Sequence, residues 1–252
     1  MAARKAPEGG ATARAVSKAA PLAVLLAVPL AALLALAGPV PAAAAAAPPE
    51  PEPETACAAG TGPYQRELEA HLRLRVDGVQ SVADCRAVRA FQREQGIAPA
   101  DGYPGVATYR TMVAVKARAH PNADGDCPDD EDRVTCVDLD RQLLWVQTGT
   151  RVVFPPVPIR TGRDDQETRP GRHEIYERSI DHVSTLYPDS PMPYAQFFDG
   201  GQALHGREGD LYAHGGSAGC VNLTVRDAAR LWDLLDEGDT VYVWGTKPGT
   251  ED

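Results

Sequence analysis

The residues of this chain best suited to chemistry are a histidine ending an apolar run and a cysteine inside a glycine-rich turn. His205 lies in Ala203-Leu204-His205-Gly206, and after a short loop Gly216-Ser217-Ala218-Gly219-Cys220-Val221-Asn222 surrounds a thiol. A thiol attacks carbonyl carbon as thiolate, and an imidazole that holds the proton favours that form. Glycine in the turn lets main-chain N–H groups face a reacting oxygen, which is where an oxyanion hole would lie. Gly206, Ser217 and Asn222 flank the pair as candidates for positioning or substrate contact, although turn residues of these types also bond their own backbone with no further role. His214 in the intervening loop and Tyr194, with its apolar ring and hydroxyl, complete the set. Neither a metal nor a cofactor is required by a thiol-based acyl transfer. The acidic stretch 122–132 (NADGDCPDDED) carries hard-cation ligands but lacks the spacing of an EF-hand loop, and reads as a solvated linker.

A β-rich frame must hold these residues. Thr135–Leu139, Leu143–Gln147 and Arg151–Phe154 are short β-branched and aromatic runs separated by turn residues, the pattern of consecutive hairpins. Pro155, Pro156 and Pro158 push the third run to a sheet edge or out of the ladder. His173–Arg178, Gln202–His205 and Thr240–Trp244 are further strand-like pieces. After Asn222, Thr224 caps a helix with Asp227 three residues on; Val225, Ala228, Leu231, Trp232 and Leu235 recur at helical spacing, and Gly238 ends it. On this reading Cys220 stands just before a helix N-terminus, which favours an anion. Upstream, Leu68, Leu72 and Leu74, then Val88, Phe91 and Gln92, then Tyr109, Met112 and Val113 mark three short helices with Asp-Gly turns between them. The expected fold is α+β: a small all-α three-helix domain, then a mostly β domain with one packed helix.

The N-terminus has a basic start (Arg4, Lys5, Arg14, Lys18), an apolar run from Pro21 to Ala37 and small residues over 40–47. These are the parts of a secretory signal, and an uncleaved signal anchor is the open alternative. The predicted organisation is 1–47 signal peptide or signal anchor, 48–56 Pro/Glu-rich spacer, 57–118 helical domain, 119–133 acidic linker, 134–246 catalytic domain and 247–252 tail. Export implies an oxidising compartment, cell wall or secreted, with membrane contact only through that first segment. Of five cysteines, Cys57 and Cys85 fall in one segment and Cys127 and Cys136 bracket a short loop; two local disulfides leave Cys220 free. A net charge of −10 argues against nucleic acid as a partner.

Two resemblances follow from these motifs. The stretch Val76–Met112, with Val88, Phe91, Gln92, Asp101, Gly102, Gly105 and Thr108, resembles the three-helix peptidoglycan-binding domain family. It departs from that pattern at Ser81 and Asp84, where Gly and Thr are usual, and in having Cys85. Residues 134–246 resemble the L,D-transpeptidase (YkuD-like) catalytic domain, through VDLDRQLLWV, Thr161-Gly162, Thr168-Arg169-Pro170-Gly171, Pro191-Met192-Pro193-Tyr194, Phe197-Phe198-Asp199-Gly200-Gly201, Leu204-His205-Gly206 and Ser217-x-Gly219-Cys220-Val221-Asn222. Ala218 stands where that family usually has a second His, and the stretch from His205 to Ser217 is slightly short.

The resemblance implies that Cys220 is an acyl-accepting nucleophile, His205 its base, and the main-chain N–H groups of Gly219 and Cys220 the oxyanion hole. It implies peptidoglycan as partner, with a stem tetrapeptide as donor and the side-chain amine of a diamino acid as acceptor, giving a 3-3 cross-link. Two alternatives stay open: a stem-peptide L,D-carboxypeptidase, in which water replaces the amine, and a wall-binding protein that has lost catalysis.

Overall fold

Leu143-Leu144-Trp145-Val146 is apolar without a break because the strand it forms is covered on both faces. Leu144 and Val146 face one core and Leu143 and Trp145 another, as the period of a strand requires. The computed structural model describes Cys57 and residues 60–213 and 216–249. The predicted signal or anchor and the spacer lie outside the described residues. No helix among the described residues is long and apolar enough to cross a membrane.

Three helices come first: α1 (Gln65–His71), α2 (Val82–Gln95) and α3 (Val106–Ala117). Leu68, Val88, Phe91 and Met112 form their shared core, and Gln92 is buried among them, bonded to Gly102 and Thr108. Ser81 and Asp84 form a reciprocal capping box at the start of α2. The two residues that depart from the peptidoglycan-binding pattern therefore start this helix. Cys57 is bonded to Cys85, and Cys127 to Cys136. Cys127 is buried in a core cluster, so this part of the acidic stretch is packed.

Among the described residues, nine strands follow in two sheets. The first has the order β3 (Arg151–Pro158), β2 (Leu143–Thr148), β1 (Val134–Asp138), β9 (Thr240–Trp244), β4 (Gly171–Glu174). The second has the order β5 (Glu177–Val183), β6 (Pro191–Asp199), β7 (Gln202–Arg207), β8 (Val221–Thr224). Pro155, Pro156 and Pro158 lie within β3, which is an edge strand with an irregular register against β2. The predicted run His173–Arg178 is not one strand. Ile175 N–H bonds Asp239 beside the first sheet and Tyr176 N–H bonds Phe197 of the second, so the chain changes sheets between them.

Helix α4 (Val225–Leu234) packs on the second sheet, with Thr224 accepting from Asp227 N–H at 3.1 Å. It ends at Leu234, ahead of Gly238, because Leu235 takes an extended conformation. Val137, Leu144, Val146, Phe198, Leu204, Val221, Leu223, Ala228 and Leu231 fill the space between the sheets and under α4. The opposite face of the first sheet, through Trp145, Leu143 and Cys136, packs on Ala114 and Ala117 of α3.

Candidate active site

Strands β7 and β8 run parallel with His205 opposite Asn222. Their neighbours in register, Leu204 and Val221, enter the core, so strand alternation sends His205 and Asn222 to the other face. There Asn222 Nδ2 lies 2.7 Å from His205 Nε2, and His205 Nδ1 lies 2.8 Å from Gly206 O. A carbonyl only accepts, so Nδ1 carries the hydrogen and Nε2 presents a lone pair to the asparagine amide. Burial depresses the His205 pKa to about 4, with Arg207 and His182 adding to the effect and the Gly206 carbonyl opposing it. The imidazole is neutral at physiological pH.

Cys220 is the one free cysteine among the described residues and is half-buried. It packs against Met192, Ala195, Phe197 and Ala203. This apolar wall is the reason burial raises its pKa above the ordinary thiol value, while a main-chain hydrogen bond from Ala203 works in the opposite direction. Its Sγ approaches Gly201 O at 3.9 Å. The expectation that a helix N-terminus supports the thiolate is corrected. Strand β8 separates Cys220 from α4, because Val221–Thr224 pairs with β7 before the helix begins.

The turn before Cys220 is held from several sides. Gly219 has φ +106°, and a Cβ there would overlap the Gln202 amide, so only glycine fits. Gly219 N–H donates to Ser217 Oγ at 3.1 Å, and that hydroxyl donates to Cys220 O at 2.6 Å. In this state the Gly219 N–H predicted for an oxyanion hole is therefore engaged. Thr168 Oγ1 accepts from Gly162 N–H at 3.0 Å and donates to Gly219 O at 2.8 Å. Arg160, only 2% exposed, donates to Leu211 O and Gly216 O, and its main chain pairs with Asn222. The segment 160–168 is thus a brace beneath both chemical groups.

A cavity of about 460 Å³ brings together Cys220, His205, Ser217, Asn222 and Ala218. His182, Arg163, Arg207, Tyr176, Met192 and Phe197 line it as well. Tyr194 and Gly206 are not among its lining residues. Tyr194 packs on the main core and against Trp232, and Gly206 permits close passage of Pro193 and Val225, where a Cβ would come within 3.1 Å of backbone. His214 lies outside the described residues. A second cavity, about 350 Å³, is lined by residues from both the helices and the sheets and contains neither Cys220 nor His205. Sequence reasoning picked out Thr161-Gly162 and Thr168 only as pieces of a motif and missed Arg160 and Gln202. Their partners are distant in sequence, and nothing local signals the contacts.

The L,D-transpeptidase catalytic domain family (YkuD) matches residues 132–243. A solved L,D-transpeptidase (Yku) from Stackebrandtia nassauensis is 36% identical with a TM-score of 0.59, over 76% of this chain and 95% of that one. An L,D-transpeptidase from Xylanimonas cellulosilytica is 25% identical with a TM-score of 0.44, over 74% of this chain and 95% of that one. Among curated proteins none matches. With a β-rich domain that carries this thiol and imidazole in one cavity, and a solved relative more than a third identical and matched over nearly its whole length, the chain belongs to the L,D-transpeptidase (YkuD) family.

Proposed function

We propose that the protein is an exported cysteine L,D-transpeptidase that cross-links peptidoglycan through a thioester. The observation that carries this reading is a single free thiol sharing a cavity with a buried neutral imidazole. The Cys220 thiolate attacks the stem-peptide carbonyl, a C–S bond forms, and the C–N bond breaks as the amine leaves with a proton from His205. A second amine gives its proton to His205 and attacks the thioester; the amide forms and the sulfur is released. Main-chain N–H groups at Gly219 and Cys220 hold the tetrahedral oxyanion, which requires Gly219 to release Ser217. For the imidazole to take the thiol proton, Nε2 exchanges Asn222 for sulfur, so Asn222 holds the base in its neutral tautomer until substrate arrives.

By the same reading the donor is a stem tetrapeptide, the acceptor the side-chain amine of a diamino acid, and the product a 3-3 cross-link. The helical domain keeps the enzyme on its polymer and raises the local substrate concentration. The apolar N-terminal run and the pairing of the other four cysteines support action outside the cytoplasm.

Intact-protein mass after exposure to a carbapenem tests the nucleophile, since a thiol opening the β-lactam ring adds the whole mass of the drug. The expected result is one adduct, absent in Cys220→Ala. No adduct, or one that survives that substitution, sinks the reading. Incubation with isolated stem peptide then distinguishes transfer to an amine, which gives dimer, from transfer to water, which gives only trimmed monomer.

A further inference from the structure

His205 is buried and both of its ring nitrogens are engaged, Nδ1 by Gly206 O and Nε2 by Asn222. A second imidazole lines the same cavity. His182 stands half-buried on β5 between Asp181 and Val183, which are exposed, so strand alternation turns its ring the other way, onto the cavity. It is opposite Met192 in the ladder, and its ring meets Phe197 edge-on with centroids 4.9 Å apart. Met192 and Phe197 belong to the wall against which Cys220 packs, so a single layer of side chains carries both the thiol and this imidazole. A charge on His182 is also felt by His205, where it adds to the depression of that pKa. Among the described residues nothing is hydrogen-bonded to either ring nitrogen of His182, so one of them is open to take a proton.

Transfer to an amine has a proton to place that His205 does not account for. The acceptor side chain arrives as an alkyl ammonium, and with a lysine-like pKa of about 10.4 only on the order of one molecule in a thousand is free amine at pH 7. An ammonium has no lone pair and does not attack a thioester. On the way to an amide it sheds two protons, one before the attack and one during it, and the second goes to His205. The first needs a base with an open nitrogen and contact with solvent to pass the proton on, which His182 has and the buried His205 lacks. Of the charged groups on the cavity lining, Glu177 of the same strand attracts an approaching ammonium, while Arg163 and Arg207 favour the loss of its charge.

We propose that His182 is the base that deprotonates the acceptor ammonium, so that two imidazoles divide the proton transfers, His205 serving the sulfur and the nitrogen of the bond that is cut, His182 the incoming amine before it attacks. This rests on the transpeptidase reading for its acceptor. One N–H bond of the ammonium breaks and its proton goes to the open ring nitrogen of His182. The freed lone pair forms the new C–N bond as the C–S bond breaks; the second proton passes to His205 and on to the departing thiolate. His182 then returns its proton to solvent.

Two acceptors test it in the intact protein, with isolated stem peptide as donor. Nα-acetyl-lysine presents an alkyl ammonium at pH 7, whereas the nitrogen of hydroxylamine is largely unprotonated there. In His182→Gln the kcat/KM for the acceptor is expected to fall about a hundredfold with Nα-acetyl-lysine and to stay within about twofold of wild type with hydroxylamine. The deficit with Nα-acetyl-lysine is expected to shrink as pH rises toward about 10, where the acceptor loses its proton unaided. Acylation of Cys220 by a carbapenem is expected to keep its wild-type rate, since that step involves no acceptor. Equal falls with both acceptors, no fall with either, or acylation slowed as much as transfer overturns the proposal and leaves the transpeptidase reading standing. A wild type that consumes stem peptide and transfers it to neither amine ends that reading, and the proposal with it.

Discussion

At the scale of single residues, the site holds its two reactive groups in their neutral forms. Burial raises the thiol of Cys220 and depresses the imidazole of His205, so neither is charged near neutral pH. Iodoacetamide alkylation of Cys220 against pH is expected to rise with a midpoint above the ordinary thiol value of about 8.5. A midpoint below that value would mean that a cation already reaches the sulfur. His205 also links stability to acid. Its pKa is about 4 folded against 6.5 ordinarily, so the unfolded chain binds the extra proton. Stability from this group is fully present above pH 6.5 and lost as pH falls through about 4. Relative to His205→Gln, wild type is expected to lose on the order of 3 kcal/mol of unfolding free energy between pH 7 and pH 4. Denaturant titrations of both proteins at the two pH values check it.

At the scale of elements, the brace 160–168 is what local reading does not reach. Thr168 joins Gly162 to Gly219, and Arg160 joins Leu211 to Gly216, across separations of 51 and 56 residues from the brace. In Thr168→Val both partners lose their bond, at a cost of about 1–3 kcal/mol, while Thr168→Ser keeps the hydroxyl. Carbapenem acylation of Cys220 is expected to slow on the order of tenfold in the Val variant and to recover in the Ser variant, with intact mass against time as the readout. A Val variant as fast as wild type would remove Thr168 from any positioning role.

What the sequence discloses follows the same division. The Thr224 cap, the His205 strand and the edge position of β3 depend on near neighbours and can be read directly. Strand β8 is hidden because Val221–Thr224 reads as the apolar approach to a helix; only pairing with β7 makes it a strand. Strand β6 is obscured by Pro191 and Pro193, which pair with Val183 and Asp181 across the ladder. The change of sheet after Ile175 depends on Asp239 and Phe197, far along the chain, and no local signal encodes it.

At the scale of the molecule, Trp145 is the point where helices and sheets share one interior. It is fully buried, stacks edge-on with Trp244, and bonds Gln147 through its indole N–H. Ala114 and Ala117 of α3 complete the cluster, and Arg110 of α3 reaches Arg141 O beyond it. Helical and β segments are therefore expected to unfold in one transition, with tryptophan fluorescence and far-UV circular dichroism giving coincident curves. Trp145→Ala is expected to lower stability by about 3–5 kcal/mol while both probes still move together. Separate transitions would show that the cluster does not couple them.

The shared interior around Trp145 also fixes direction. A binding module on a flexible tether sweeps its partner through a volume and tolerates any spacing that the tether can span. Here α3 is seated directly on the first sheet, so the helices and the Cys220 cavity belong to one packed body with a set separation between them. On the proposed function, a polymer gripped by the helices would be presented to the thiol only where its branches recur at that separation, and the protein would work as a gauge of its lattice.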